Sequence, residues 1–142
     1  MGQVIDLLLP SEPGSASRRF FATSALWLAV ALLLGLTAAY QMVAPDLLPS
    51  VAQLSFGRLR PTHINLVIFG FLLPAYFGGF LYVVPAVCRS RLPSERIANF
   101  AVWFWNLLCL GILFALPHGL TQGREYAELP WVLDVGILAA VA

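Results

Sequence analysis

The sequence has 142 residues, of which 60% are hydrophobic and only 11% are charged, and its mean hydropathy is +0.84. These values exclude an ordinary soluble domain and indicate an integral membrane protein. All eight basic residues are arginine and the net charge is +1, so the composition favours no nucleic-acid partner.

Residues 1–19 are predicted to form a tail that ends at Arg18 and Arg19, beside the membrane. The first apolar run, residues 20–43, is long enough to cross a bilayer, because as a helix it would measure about 36 Å. Pro45 follows this run and is expected to end the helix. We expect the connection to the next run to be partly helical and to lie along the membrane surface.

The second apolar run, residues 61–87, is the longest of the set. We place Pro61 in the first turn of its helix, where the missing N–H of proline costs little. Gly70 follows His63 by one heptad, so the two residues are expected near one face. A glycine there either leaves room for the edge of a flat cofactor or forms a notch for a neighbouring helix, and both alternatives stay open.

The third run, residues 97–117, has Ser94 before it as a candidate N-cap. Trp103 and Trp105 lie deeper in this run than an aromatic belt requires, so we expect both to be packing residues. The last run, residues 131–142, is too short to cross a bilayer, which predicts a sequence that stops inside a fourth helix. The predicted fold is all-α and integral to the membrane, with three full transmembrane helices plus the start of a fourth.

Arginine residues are divided unequally between the two sides of this arrangement. Five lie in the tail and the second loop (Arg18, Arg19, Arg89, Arg91 and Arg96), and three lie in the other two loops (Arg58, Arg60 and Arg124). The positive-inside rule therefore predicts a cytoplasmic amino terminus. His63, His118 and Glu125 would then share the outer side.

Arg58, Arg60 and His63 fall within six residues at the mouth of the second run. An imidazole beneath two guanidinium groups suits a flat anionic ligand such as haem, whose iron takes the imidazole and whose propionates take the arginines. Alternatively, the arginines are interfacial anchors and His63 bonds to a neighbour. His118 follows Pro117 in a loop and lacks a rigid helical base, so it is the weaker candidate ligand.

Glu125 and Glu128 lie three residues apart, beside Arg124. They either form a solvated acidic edge that caps the fourth helix, or they offer oxygen ligands to a hard cation such as calcium. The sequence alone does not decide between these two roles.

Two motifs carry a resemblance to a known family. Phe56-Gly57-Arg58-Leu59-Arg60-Pro61-Thr62-His63, followed by Asn65, resembles the second-helix motif of subunit I in the cbb-type (C-family) haem–copper cytochrome c oxidases. Gly123-Arg124-Glu125-Tyr126-Ala127-Glu128-Leu129-Pro130-Trp131 resembles the loop before the fourth helix of that subunit. The large subunit of nitric oxide reductase has similar versions of both. The resemblance implies the amino-terminal portion, about residues 20–142, of a twelve-helix bundle.

The resemblance also implies roles for individual residues. His63 would be an axial ligand of a low-spin haem b, Arg60 and Arg58 would lie near the haem propionates, and Glu125 would help to bind calcium. It implies no catalytic residue in these 142 residues, since the other haem and copper ligands come from later helices. The complete subunit would also hold a high-spin haem and copper, and its partners would be the remaining helices of subunit I, membrane-bound cytochrome c subunits and the lipid bilayer.

The implied activity is oxidation of cytochrome c and reduction of dioxygen to water, coupled to proton translocation across a bacterial-type inner (cell) membrane. The 142 residues alone are expected to be inactive. Two alternatives stay open: a fragment of a nitric oxide reductase large subunit, or a small non-enzymatic membrane protein without haem. Pro130 stands where typical oxidases are expected to have an acidic residue, which keeps the choice between oxidase and reductase open.

Overall fold

A computed structural model describes residues 2–48, 50–124 and 128–141 of the chain. Its helical elements are α1 (Gly2–Leu8), α2 (Ser15–Gln41), a 3₁₀ turn (Ala52–Leu54), α3 (Phe56–Asn65), a π-helical segment (Leu66–Leu72), α4 (Leu73–Cys88), α5 (Glu95–Ala115) and α6 (Trp131–Val141). Three helices are long and apolar enough to cross a membrane: Ser15–Gln41, Phe56–Cys88 and Glu95–Ala115. The α6 helix is apolar but shorter. The predicted all-α fold with three spans and a shorter fourth helix is thereby confirmed.

The α2 helix begins at Ser15, earlier than the predicted start of the first span at residue 20, and the reason lies in α5. The carboxylate of Glu95 accepts hydrogen bonds from the N–H groups of Gly14 (2.6 Å) and Ala16 (3.3 Å). It accepts another from the Ser15 hydroxyl (3.2 Å). A carboxylate at this position satisfies N–H groups that the start of a helix leaves unpaired. Part of the segment predicted as a tail is therefore helical.

The first residues fold back onto the same end of the bundle. The guanidinium of Arg19 donates to the carbonyl groups of Leu7 and Leu8, both at 2.6 Å, where α1 ends. The indole N–H of Trp103 also donates to the Leu8 carbonyl (2.8 Å). Trp103 is 49% exposed and holds this segment instead of filling the core, whereas Trp105 is 3% exposed and packs as predicted.

The second span begins at Phe56, so the predicted position of Pro61 in the first helical turn is wrong. The additional turn contains Leu59, which is fully buried, and this burial favours its helical conformation. The missing N–H of Pro61 would have bonded the carbonyl of Gly57, which is an exposed residue near the helix start. Water can satisfy that carbonyl, so the proline is tolerated.

A π-helical segment, Leu66–Leu72, separates α3 from α4 within the continuous helix Phe56–Cys88. In this segment the N–H of Leu73 bonds to the carbonyl of Ile68, five residues earlier. Pro74 explains the widening, because in a regular α-helix its ring would clash with the carbonyl of residue 70.

The core lies where α2 packs against the long helix and α5. A Cβ atom placed on Gly70 would lie 2.9 Å from the Cβ of Trp27 in α2, so Gly70 is a notch that receives the neighbouring helix. This contact decides between the two alternatives for Gly70 in favour of helix packing. The indole N–H of Trp27 in turn donates to Oδ1 of Asn106 (2.8 Å) and ties α2 to α5.

Candidate cofactor site around His63

The imidazole of His63 lies against α2, on a surface that a glycine leaves open. A Cβ atom placed on Gly35 would lie 2.6 Å from both Cε1 and Nδ1 of His63 and 3.0 Å from its Nε2. Real Cβ atoms essentially never approach other atoms this closely. Gly35 is therefore what allows the ring to pack onto the backbone of α2.

A backbone carbonyl determines which nitrogen of His63 carries the proton. Nδ1 of His63 lies 2.8 Å from the carbonyl oxygen of Ala31. Because a carbonyl oxygen can only accept, Nδ1 must be the protonated donor, and a neutral ring then has its lone pair on Nε2. Among the described residues, no side chain or backbone group bonds to Nε2. The ring is thus oriented by its second nitrogen, as metal-bound histidines commonly are.

The two neighbouring arginines have different surroundings. Nη1 of Arg58 donates to the carbonyl of Pro117 (2.7 Å), so Arg58 ties the start of α3 to the carboxyl-terminal end of α5. A positive charge there also stabilises the helix dipole of α5. Arg60 is exposed and lies three residues before His63, which puts it on the same face of α3 as the imidazole. Arg60 and His63 are therefore brought together, while Arg58 is directed elsewhere.

A hydrogen bond joins α3 to the loop before α6. The amide of Asn65, which is 2% exposed, donates from Nδ2 to the carboxylate of Glu128 (3.0 Å) and to the carbonyl of Pro61 (2.9 Å). The Glu128 backbone carbonyl accepts from the Thr121 hydroxyl (2.6 Å), which folds the loop onto itself. Glu128 therefore anchors this loop to α3, at a position two residues beyond His63.

The other predicted site residues differ in what the structure says of them. Glu125 lies outside the described residues, so its predicted calcium role stays a prediction. Within residues 2–48, 50–124 and 128–141, no group of three or more His, Cys, Asp or Glu side chains is arranged to hold a metal ion. His118 is exposed, stacks on Phe114 with a ring-centroid distance of 4.4 Å and bonds through Nδ1 to the Phe114 carbonyl (2.7 Å). These contacts hold His118 against the end of α5 instead of beside His63.

Sequence reasoning missed the α2 side of the site. Ala31 and Gly35 supply the hydrogen bond and the open surface for His63, yet neither belongs to the motif that singled out the histidine. A single glycine within the otherwise bulky run Leu32-Leu33-Leu34-Gly35-Leu36 was the available signal. Small residues in a membrane helix mark a close approach, but they do not name the partner.

The chemistry that this arrangement supports is limited and specific. It offers one imidazole lone pair on a fixed ring, with the exposed Arg60 on the same helix face. Imidazole binds iron well, and a guanidinium pairs well with carboxylates. The described residues thus fit a haem held at one axial position, and they supply no acid–base or nucleophilic constellation.

Comparison with known proteins agrees with this geometry. Residues 15–142 match the family described as "Cytochrome C and Quinol oxidase polypeptide I". The chain is 39% identical over 118 residues to "Cbb3-type cytochrome c oxidase subunit CcoN1" of Stutzerimonas stutzeri, which is 83% of this chain and 25% of that protein. It is 39% identical over 110 residues to "Cytochrome c oxidase subunit 1 homolog" of Agrobacterium tumefaciens (strain T37), covering 77% of this chain and 20% of the relative.

A more distant relative has a different activity in its name. The chain is 28% identical over 144 residues to a nitric oxide reductase subunit of Stutzerimonas stutzeri, which is 92% of this chain and 30% of that protein. The chain therefore spans between 20% and 30% of the length of these three relatives. Since the family match extends over most of its residues, the chain belongs to the cytochrome c and quinol oxidase polypeptide I family.

Proposed function

We propose that this chain supplies one axial ligand, His63, to a low-spin haem b in a respiratory haem–copper oxidase. The observation that carries the proposal is the 2.8 Å contact between Nδ1 of His63 and the Ala31 carbonyl. This contact directs the free lone pair to Nε2 and fixes the plane of the ring before any metal binds. A ring that merely anchored two helices would need no such preference for one nitrogen.

The residues around His63 divide the work of holding the haem. Gly35 and Ala31 orient the imidazole, and Arg60 pairs with a propionate, since it is exposed on the same helix face. Arg58 acts mainly through the Pro117 carbonyl, by holding the end of α5 near the site. When bound, the haem supplies one-electron transfer, and its potential depends on hydrogen bonding to the axial ligand and on burial.

The activity of the whole protein follows from the relatives rather than from this chain's own residues. We propose that it oxidises cytochrome c and reduces dioxygen to water with proton translocation, using a high-spin haem and copper held by other helices of subunit I. Membrane-bound cytochrome c subunits would be its partners. The membrane would be a bacterial-type inner membrane with the amino terminus in the cytoplasm, as the arginine distribution favours.

Glu125 is proposed to contribute to a calcium site near the haem propionates, because carboxylate oxygens suit this cation. One loop carboxylate supplies only one or two of the several oxygens that calcium takes, so propionates or a partner subunit would complete the site. Measuring calcium in the full-length protein with Glu125→Gln and Glu128→Gln tests this role. The proposal expects lower calcium content in the Glu125 variant and a smaller change in the Glu128 variant.

The spectrum of the full-length protein tests the haem proposal directly. His63→Ala is expected to abolish the low-spin haem b signal, because no other described imidazole lies at that position. His118→Ala is the matched control and is expected to leave the spectrum unchanged. A low-spin signal that survives His63→Ala, or one that disappears in His118→Ala, would reject the ligand assignment.

The metal content separates the alternatives. Copper beside the high-spin haem supports the oxidase, which the 39% identity to two oxidase subunits favours over the 28% identity to a reductase subunit. Non-haem iron at that centre would instead make the protein a nitric oxide reductase. Absence of any haem from the purified protein would leave the non-enzymatic alternative.

A further inference from the structure

We infer that Trp105 is a positioning residue for His63, because its indole N–H maintains the π-helical segment that sets the rotation of the histidine relative to α4. This inference rests on the proposed function of His63 as a haem ligand. It concerns Trp105, Phe69 and Pro74, three residues that lie outside both motifs of the sequence.

The carbonyl of Phe69 lacks a backbone donor in the observed conformation. In the π-helical register each carbonyl pairs with the N–H group five residues later, and Ile68 follows this pattern by accepting from Leu73. The corresponding donor for Phe69 would be residue 74, which is a proline and has no N–H. The α-helical alternative is also closed, because the N–H of Leu73 is already bonded to Ile68.

Trp105 supplies the missing donor from α5. Its Nε1 lies 2.6 Å from the Phe69 carbonyl oxygen, and its side chain is only 3% exposed. The thiol of Cys109, which is fully buried one turn further along α5, approaches the same oxygen at 3.6 Å. A thiol is a weak donor, so the indole N–H is the principal partner of this carbonyl. Burial excludes water as a substitute, which makes the hydrogen bond costly to lose.

The π-helical segment matters because α2 holds the long helix on both sides of it. On one side His63 contacts Ala31, and on the other the Ser17 hydroxyl donates to the Gly78 carbonyl (2.7 Å). These contacts are 14 residues apart along α2, which is two heptads, but 15 residues apart along the long helix. Two heptads keep positions near one face of a helix, whereas one further residue rotates them by about 100°. The π-helical segment absorbs that additional residue.

The consequence for His63 is geometric. A regular α-helix across residues 66–74 would preserve either the Gly78 contact or the Ala31 contact, but not both. If the Gly78 end stays packed, the imidazole turns by about 100° and shifts by about 1.5 Å along the axis, which are the values for one residue. Trp105 therefore acts on the haem ligand from α5 without touching it, through the register of the intervening helix.

The test replaces Trp105 by phenylalanine in the full-length protein, which keeps an aromatic ring and removes the indole N–H. Trp103→Phe is the matched control, because Trp103 lies on the same helix but donates to Leu8, far from the π-helical segment. The readouts are the g-values of the ferric low-spin haem, which depend on the orientation of the axial imidazole plane, and the haem b midpoint potential. Trp105→Phe is expected to shift both while haem b content stays at the wild-type level, and Trp103→Phe is expected to shift neither.

A second variant separates register from simple loss of a hydrogen bond. With Trp105→Phe and Pro74→Ala combined, nothing opposes an α-helical register, and the Leu73 N–H can return to the Phe69 carbonyl. Assembly of the protein is then expected to recover, while the g-values stay shifted because His63 has rotated. Wild-type g-values in this assembled double variant would overturn the inference.

The remaining outcomes also discriminate. Unchanged g-values in Trp105→Phe, together with loss of the low-spin signal in His63→Ala, would overturn the role of Trp105 and leave the haem proposal intact. A low-spin signal that persists in His63→Ala would instead reject the proposed function itself. Failure of both Trp105 variants to assemble, where His63→Ala assembles, would make Trp105 a packing residue only and would overturn the inference.

Discussion

Replacing Gly35 by alanine perturbs the contact between α2 and His63 with a single added methyl group. That Cβ would lie 2.6 Å from Nδ1 and Cε1 of the imidazole, so the ring must move. The backbone of α2 is held by its own helix, whereas the ring can rotate about its side-chain bonds, so the ring is the part that yields. Its hydrogen bond to the Ala31 carbonyl is then lost or strained.

The magnitude follows from these two terms. A hydrogen bond contributes about 0.5–1.5 kcal/mol and a displaced rotamer costs about the same, so the total is about 1–3 kcal/mol. Because about 1.4 kcal/mol corresponds to a tenfold change in affinity, Gly35→Ala is expected to weaken haem b retention about 5- to 150-fold. The rate at which haem b passes from the purified full-length protein to an excess of haem-accepting apoprotein measures this effect.

Gly79→Ala provides the matched control for this experiment. Gly79 lies in α4, and a Cβ atom placed there would have no other atom within 4 Å. Alanine is favoured over glycine inside a helix by about 0.5–1 kcal/mol, so this variant is expected to keep its haem and to be slightly more stable. Equal haem retention in Gly35→Ala, Gly79→Ala and wild type would refute the account of how His63 is held.

Two further predictions concern charged residues. Arg60→Gln is expected to shift the haem b midpoint potential, because it removes a positive charge on the face of His63, whereas Arg58→Gln is expected mainly to lower thermal stability by releasing the Pro117 carbonyl; redox titration and thermal unfolding of both variants distinguish these effects, and a larger potential shift in Arg58→Gln would contradict the assignment. Glu95→Ala removes the carboxylate that caps α2 and is expected to cost about 2 kcal/mol of stability, while Glu12→Ala, at an exposed ion pair with Arg18, is expected to cost less than about 0.5 kcal/mol. Equal unfolding temperatures for the two glutamate variants would contradict the capping role.

The parts of the fold that depend on local pattern could be predicted from the sequence. Apolar runs indicated the three long helices, and Ser94 caps α5 as expected, with its Oγ accepting from the Ile97 N–H (3.3 Å). His63 was singled out because a histidine and arginines at the mouth of an apolar run are unusual in composition. Such signals lie within a few residues of one another, where the spacing along a helix determines which side chains meet.

The parts that depend on contacts between distant residues could not be predicted in this way. Glu95 starts α2 from 80 residues away, and Trp105 completes the hydrogen bonding of Phe69 across 36 residues. Neither pair has a periodic spacing that could reveal it. Pro74 was a visible clue to an irregular helix, but proline alone does not distinguish a kink, a break and a π-helical segment.

The two prolines of the long helix have different consequences because their surroundings differ. Pro61 lies near the exposed start of α3, where water can satisfy the carbonyl that lacks a donor, so the helix continues without adjustment. Pro74 lies in the packed centre, where the carbonyl of Phe69 must find a protein donor and finds Trp105. In a membrane helix, where unpaired backbone groups are expensive, such a defect persists only when a neighbouring helix compensates for it. A compensated one-residue insertion also rotates everything on one side of it by a fixed step. A rigid transmembrane helix thereby directs the imidazole of His63 onto α2 without bending.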